Sequence, residues 1–212
     1  MKNVDNLIES ATELAGRGLS RGEIADELNV SRETASWLVE RGGVESEPDQ
    51  EPRATASPQD IHVDWSAIGR DSRRLSYVSH AMADLISKDN TEVGLTVGIE
   101  KAGVPLATVI ANELDTDIAA YSPAKHQWEE GDIEDFHGGF SQNFAAVSEE
   151  NCYIIDDIIT SGTTMRETIT AVREQGGTPV GCVVLVDKQG LDEIDGVPVF
   201  SLMNVVSLAP EE

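Results

Sequence analysis

The chain is short of several things at once. Among its 212 residues there are two cysteines, Cys152 and Cys182, and only five lysines. Both cysteines lie inside apolar runs, which favours small buried hydrophobes in a reducing interior over a disulfide or a metal ligand. No stretch reaches the roughly 18 apolar residues of a membrane span, and the opening MKNVDNLIES has no signal-like apolar region. A soluble, cytoplasmic protein without membrane attachment is therefore expected. Aromatic residues make up 5% of the chain, and Trp37, Trp65 and Trp128 give no distinct clue. Positive charge is scarce too: 15 Lys and Arg stand against 39 Asp and Glu, a formal net charge of -24.

What is present makes that imbalance intelligible. Hydrophobic residues at 40% supply a core, so the acid excess describes the surface of a folded protein and not a disordered one. In concentrated salt the Debye length falls to about 3 Å, and like-charge repulsion across such a surface costs little. The charge points to a saline cytosol more than to a particular partner.

Composition divides the chain into three. Residues 43–62, GVESEPDQEPRATASPQDIH, read as an acidic, proline-containing linker. Residues 1–42 before it show helical periodicity in three steps: Val4 to Leu14, Ile24 to Leu28 after a Ser20/Glu23 capping box, and Ala35 to Val39 after Ser31 as cap. The three-residue turn between the second and third makes a helix-turn-helix pattern, whose third helix would present Ser31, Arg32, Glu33, Ser36 and Trp37 to a major groove. A protein-interaction or dimerisation unit remains the alternative for such a module. Residues 63–212 alternate apolar runs with helical periods, as a mostly parallel α/β sheet does. A single helix is expected over about 64–88, strands at 93–98, 117–121, 152–156, 180–187 and 197–202, and helices near 103–114 and 163–175. The polar stretch 122–150 is too long for a simple connection and suggests a flap or hairpin.

The most informative segment is YIIDDIITSGTTM, residues 153–165. A buried strand is expected to end in the acid pair Asp156 and Asp157, followed by the small-residue loop Thr160, Ser161, Gly162, Thr163 and Thr164 that opens a helix. Such a loop can aim N–H groups and hydroxyls at a phosphate where the helix dipole favours an anion. The two acids can accept from vicinal sugar hydroxyls. Solvated turn acids before an ordinary helix cap are the alternative reading. A second strand-to-helix turn, Glu100, Lys101, Ala102 and Gly103, offers Lys101 as an anion contact, although Gly-flanked turns of this kind are common.

These two motifs resemble those of the type I phosphoribosyltransferases, the first as the ribose-phosphate loop and the second as the pyrophosphate loop. In layout the domain is most similar to the orotate type. That resemblance implies a basic mobile flap, where Lys125 and His126 are matching contacts, but Glu129, Glu130, Asp132, Glu134 and Asp135 follow where cations would neutralise a leaving pyrophosphate. No catalytic residue or metal ligand is assigned, and no cofactor is required; Mg²⁺ would accompany a pyrophosphorylated ligand. Over nearly its full length the chain resembles the haloarchaeal orotate-phosphoribosyltransferase-like transcriptional regulators of the GfcR type. This implies promoter DNA as a partner, control of central sugar catabolism, activation among the possible outcomes, and a pocket turned into a sensor for a phosphorylated sugar or a phosphoribosyl-pyrophosphate-like effector. A homodimer is expected, because helix-turn-helix proteins usually bind pseudo-palindromes. A working phosphoribosyltransferase making a nucleotide from phosphoribosyl pyrophosphate and orotate is the alternative, and a protein scaffold the third.

Overall fold

The structure is a computed structural model in which residues 4–43, 61–88, 91–123 and 138–206 are described. The chain forms two units, Met1–Trp65 and Ser66–Glu212.

The first unit contains α1 (Val4–Gly16), α2 (Arg21–Leu28) and α3 (Arg32–Arg41). Local chemistry sets each boundary. Ser20 caps α2 through the Glu23 amide at 3.3 Å, while the Glu23 carboxylate accepts from the Ser20 amide at 2.7 Å. Asn29 ends the helix in the left-handed region at φ 54, and Ser31 begins the next by accepting from the Thr34 amide at 3.1 Å. The inward faces close a small core of Leu7, Ala11, Leu14, Ile24, Leu28, Val30, Ala35, Leu38 and Val39.

The second unit is a seven-stranded sheet. Its strands are β1 (Leu95–Ile99), β2 (Asp117–Ser122), β3 (Gly139–Phe140), β4 (Asn151–Ile159), β5 (Thr178–Asp187), β6 (Glu193–Ile194) and β7 (Val197–Asn204). The spatial order is β3-β2-β1-β4-β5-β7-β6, with β2, β1, β4, β5 and β7 mutually parallel and the two short edge strands antiparallel. Helices α6 (Gly103–Leu114) and α7 (Thr163–Glu174) make the crossovers β1-α6-β2 and β4-α7-β5. Burial on both faces explains why β1 reads as an unbroken apolar run, LTVGI, instead of alternating. Cys152 and Cys182 are fully buried in this core, and burial pushes each thiol up to about 12. They serve as hydrophobes, as expected. No described helix is long and apolar enough to cross a membrane.

Two expectations need correction. The helix over 64–88 is two, α4 (Ser66–Gly69) and α5 (Ser72–Ser87). Asp71 causes the break: its carboxylate accepts from the Arg73 and Arg74 amides at 3.1 and 3.0 Å, so the chain restarts with a new cap. Those bonds, led by the Arg74 amide, hold its pKa below the usual carboxylate range. β4 does not end at the acid pair; it continues through Asp156 and Asp157 to Ile159, because Ile158 and Ile159 pair with Val186 and Asp187 of β5. The stretch after Ser122 returns as β3, whose Gly139 and Phe140 pair antiparallel with Ser122 and Tyr121, in keeping with the hairpin expected there.

Candidate functional site

In a parallel sheet the carboxyl ends of neighbouring strands lie side by side, and here β1 and β4 are neighbours with Gly98 opposite Ile155. The turns leaving them, residues 100–102 and 160–162, therefore open at one edge of the sheet, the place where such folds bind ligands. Glycine lets them meet. A Cβ on Gly103 would run into the Ile155 carbonyl oxygen and lie 3.1 Å from the Asp156 Cα. The loop Glu100, Lys101, Ala102 and Gly103 is thus packed against the strand that carries the acid pair, with the Lys101 side chain exposed and the Glu100–Lys101 peptide cis. The Glu100 amide donates to the Tyr121 carbonyl at 2.8 Å, which ties this loop to β2.

The second loop lines a shallow, open cleft formed by Asp156 and the run Ile158 to Met165. Gly162 makes the bend: it is the N-cap of α7 at φ 76, a left-handed conformation that other residues adopt only at a cost. No side-chain hydrogen bond closes that cap, and the first amides of a helix have no partners within it. Ser161 and Thr163 share a hydroxyl hydrogen bond at 3.1 Å, and the Ser161 hydroxyl accepts from the Thr163 amide at 3.4 Å. The result is a concave surface of amides and hydroxyls at a helix N-terminus, suited to an anion with several acceptor oxygens.

The acid pair lies within β4, both residues half-buried, and Asp156 lines the cleft. The Asp157 amide donates to Asp156 Oδ1 at 2.9 Å, which orients that carboxylate.

Sequence reasoning missed the turn behind the loop. Asp187, at the end of β5 and 1% exposed, accepts from the Gln189 amide at 2.7 Å and the Leu191 amide at 2.6 Å. From this turn Gln189 Nε2 donates to the Thr160 carbonyl at 2.5 Å. An acid closing a strand, followed within three residues by glycine in VDKQG, was the signal available. Also missed was Tyr121, whose hydroxyl donates to Glu167 Oε1 at 2.8 Å; burial, chiefly, and then this carboxylate raise the phenol well above its ordinary value.

On the first unit, Arg32 and Glu33 are exposed on α3 and Ser36 is half-buried. The Ser31 hydroxyl is engaged as the helix cap and with the Thr34 hydroxyl at 2.9 Å. Trp37 is not a fully outward residue: it packs partly against the three-helix core, with the Arg41 guanidinium 5.4 Å from its ring centroid. Lys125 and His126 lie outside the described residues.

Comparison with known proteins agrees with this layout. The phosphoribosyl transferase domain model matches residues 64–206. A protein of Halorubrum lacusprofundi named transcriptional regulator GfcR is 69% identical over 212 residues, covering 100% of both chains. Its namesake in Haloferax volcanii is 65% identical over 212 residues, again covering 100% of both. Among solved structures, orotate phosphoribosyltransferase from Aeropyrum pernix superposes with a TM-score of 0.56 at 19% identity, covering 71% of this chain and 81% of that one. At that identity the likeness concerns the fold.

Proposed function

Because the chain belongs to the phosphoribosyl transferase domain family and, along its whole length, to the GfcR family of transcriptional regulators, we propose that it is a DNA-binding regulator that senses a phosphorylated sugar. The observation that carries the sensing part is the cleft at the N-terminus of α7. It offers amides, hydroxyls and one carboxylate, the groups that recognise a phosphate ester bearing sugar hydroxyls. In this reading the phosphate is held by Thr160 to Thr164, and Asp156 accepts from a ring hydroxyl. Lys101 faces any further phosphate group, and a pyrophosphorylated ligand would arrive with Mg²⁺.

The reader is the α2-turn-α3 pair, used as a helix-turn-helix. Arg32 contacts a guanine edge or a phosphate, Glu33 accepts from cytosine, and Ser36 reaches the groove beside them. The capping chemistry of Ser31 fixes where α3 begins, and so which residues lead it into the groove. Residues 1–42 carry five bases against eight acids. In molar salt the counterion-release advantage of lysine and arginine is small, so direct base contacts supply more of the affinity. A homodimer places two such helices on a pseudo-palindromic site. Genes of sugar catabolism are the regulated set that fits a sugar-phosphate effector. The effector acts by binding one dimer arrangement more tightly than the other.

The test is binding of promoter fragments from sugar-catabolic genes in molar KCl, with and without ribose 5-phosphate, hexose phosphates and phosphoribosyl pyrophosphate. Specific binding that shifts with one metabolite is expected. Steady pyrophosphate release from phosphoribosyl pyrophosphate with orotate and Mg²⁺, and no specific DNA binding, would move the assignment to a transferase.

A further inference from the structure

The turn behind the phosphate loop carries an inference about how the loop is set. Glu100–Lys101 is the cis peptide among the described residues, so the Thr160–Ser161 peptide is trans and its C=O and N–H point in opposite directions. Gln189 Nε2 holds the Thr160 carbonyl at 2.5 Å, and Gln189 is outside the group of residues that line the cleft. A carbonyl drawn toward Gln189 leaves the Ser161 N–H pointing the other way, toward the cleft. Were that peptide to turn over, the carbonyl oxygen would face an anionic ligand and repel it.

The rest of the turn makes Gln189 a fixed point. Asp187 is buried and grips the Gln189 and Leu191 amides, and the Lys188 amide donates to the Ile159 carbonyl at 3.0 Å, one residue before Thr160. Leu191 and Ile194 come within 3.7 and 3.6 Å of where a Cβ on Gly162 would stand, so the same turn also backs the loop at Gly162. Two strands thus act on one peptide: β4 delivers it and the end of β5 orients it.

We infer that Gln189 is a positioning residue for ligand binding, locking the Thr160–Ser161 peptide so that the Ser161 amide donates to the phosphate. This rests on the reading of Thr160 to Thr164 as the phosphate site. Gln189 is exposed, so its replacement leaves the core intact.

The experiment uses the full chain, labelled with ¹⁵N, titrated in molar KCl with inorganic phosphate and then ribose 5-phosphate. Gln189→Glu is nearly isosteric, but its ionised carboxylate cannot donate. In the wild type, the Ser161, Thr163 and Thr164 amides should all shift on titration. In Gln189→Glu and Gln189→Ala the Ser161 response should be lost while Thr163 and Thr164 still respond, and affinity should fall about tenfold, the worth of one hydrogen bond to a charged group. Wild-type affinity and an unchanged Ser161 response in both variants would overturn the positioning role alone. No response of the loop amides in the wild type would overturn the phosphate reading, and this inference with it.

Discussion

The two turns at the carboxyl edge of the sheet occupy equivalent places and are built by opposite logic. Each follows a buried strand, each opens a helix, and neither cap residue, Ala102 or Gly162, supplies a side-chain hydrogen bond. In the β1 turn glycine is required for space. A Cβ at Gly98 would lie 2.7 Å from the Val104 Cα, and one at Gly103 would strike the Ile155 carbonyl. In the β4 turn glycine is required for a dihedral: Gly162 stands at φ 76 with its nearest neighbours at an ordinary 3.6 Å. The first turn is shaped by what presses on it. The second is shaped from within and held from behind, leaving hydroxyls and amides open to a ligand.

That contrast can be broken by substitution. Gly103→Val should cost the most, about 3 kcal/mol of stability from overpacking against backbone that cannot yield, read from urea unfolding in molar KCl. Asp156→Asn should leave folding nearly unchanged and weaken ribose 5-phosphate binding about tenfold, while inorganic phosphate binds as before. Equal weakening of the two ligands in a calorimetric titration would remove Asp156 from the hydroxyl-binding role. Gly162→Ala should cost about 1 kcal/mol through the left-handed backbone alone, with a parallel loss of phosphate affinity. The smallest effect belongs to Lys101→Ala: ribose 5-phosphate affinity should hold, and phosphoribosyl pyrophosphate affinity should drop about threefold, as for an exposed charge.

How far the sequence spoke depended on how local the determinant was. The capping box at Ser20 and Glu23 and the Ser31 cap are decided within four residues, and both were legible. So was the order of strand, acids, loop and helix over 153–165. The length of β4 was not, because Ile158 and Ile159 are recruited by pairing with β5, a partner about 28 residues downstream in register. Gln189 was invisible for the same reason, since its bond to Thr160 spans 29 residues. The break at Asp71 was local yet overridden by apolar periodicity on both sides, where an acid two and three residues ahead of the amides it caps deserved more weight.

The most direct measurement is the affinity of the wild type and of Asp156→Asn for one promoter fragment, by fluorescence anisotropy in molar KCl, across a series of phosphorylated sugars. The account predicts specific binding by both chains, with one metabolite shifting the wild type and leaving the variant unmoved at the same concentration. An equal shift in both chains, or specific binding that no phosphorylated sugar alters, would contradict it.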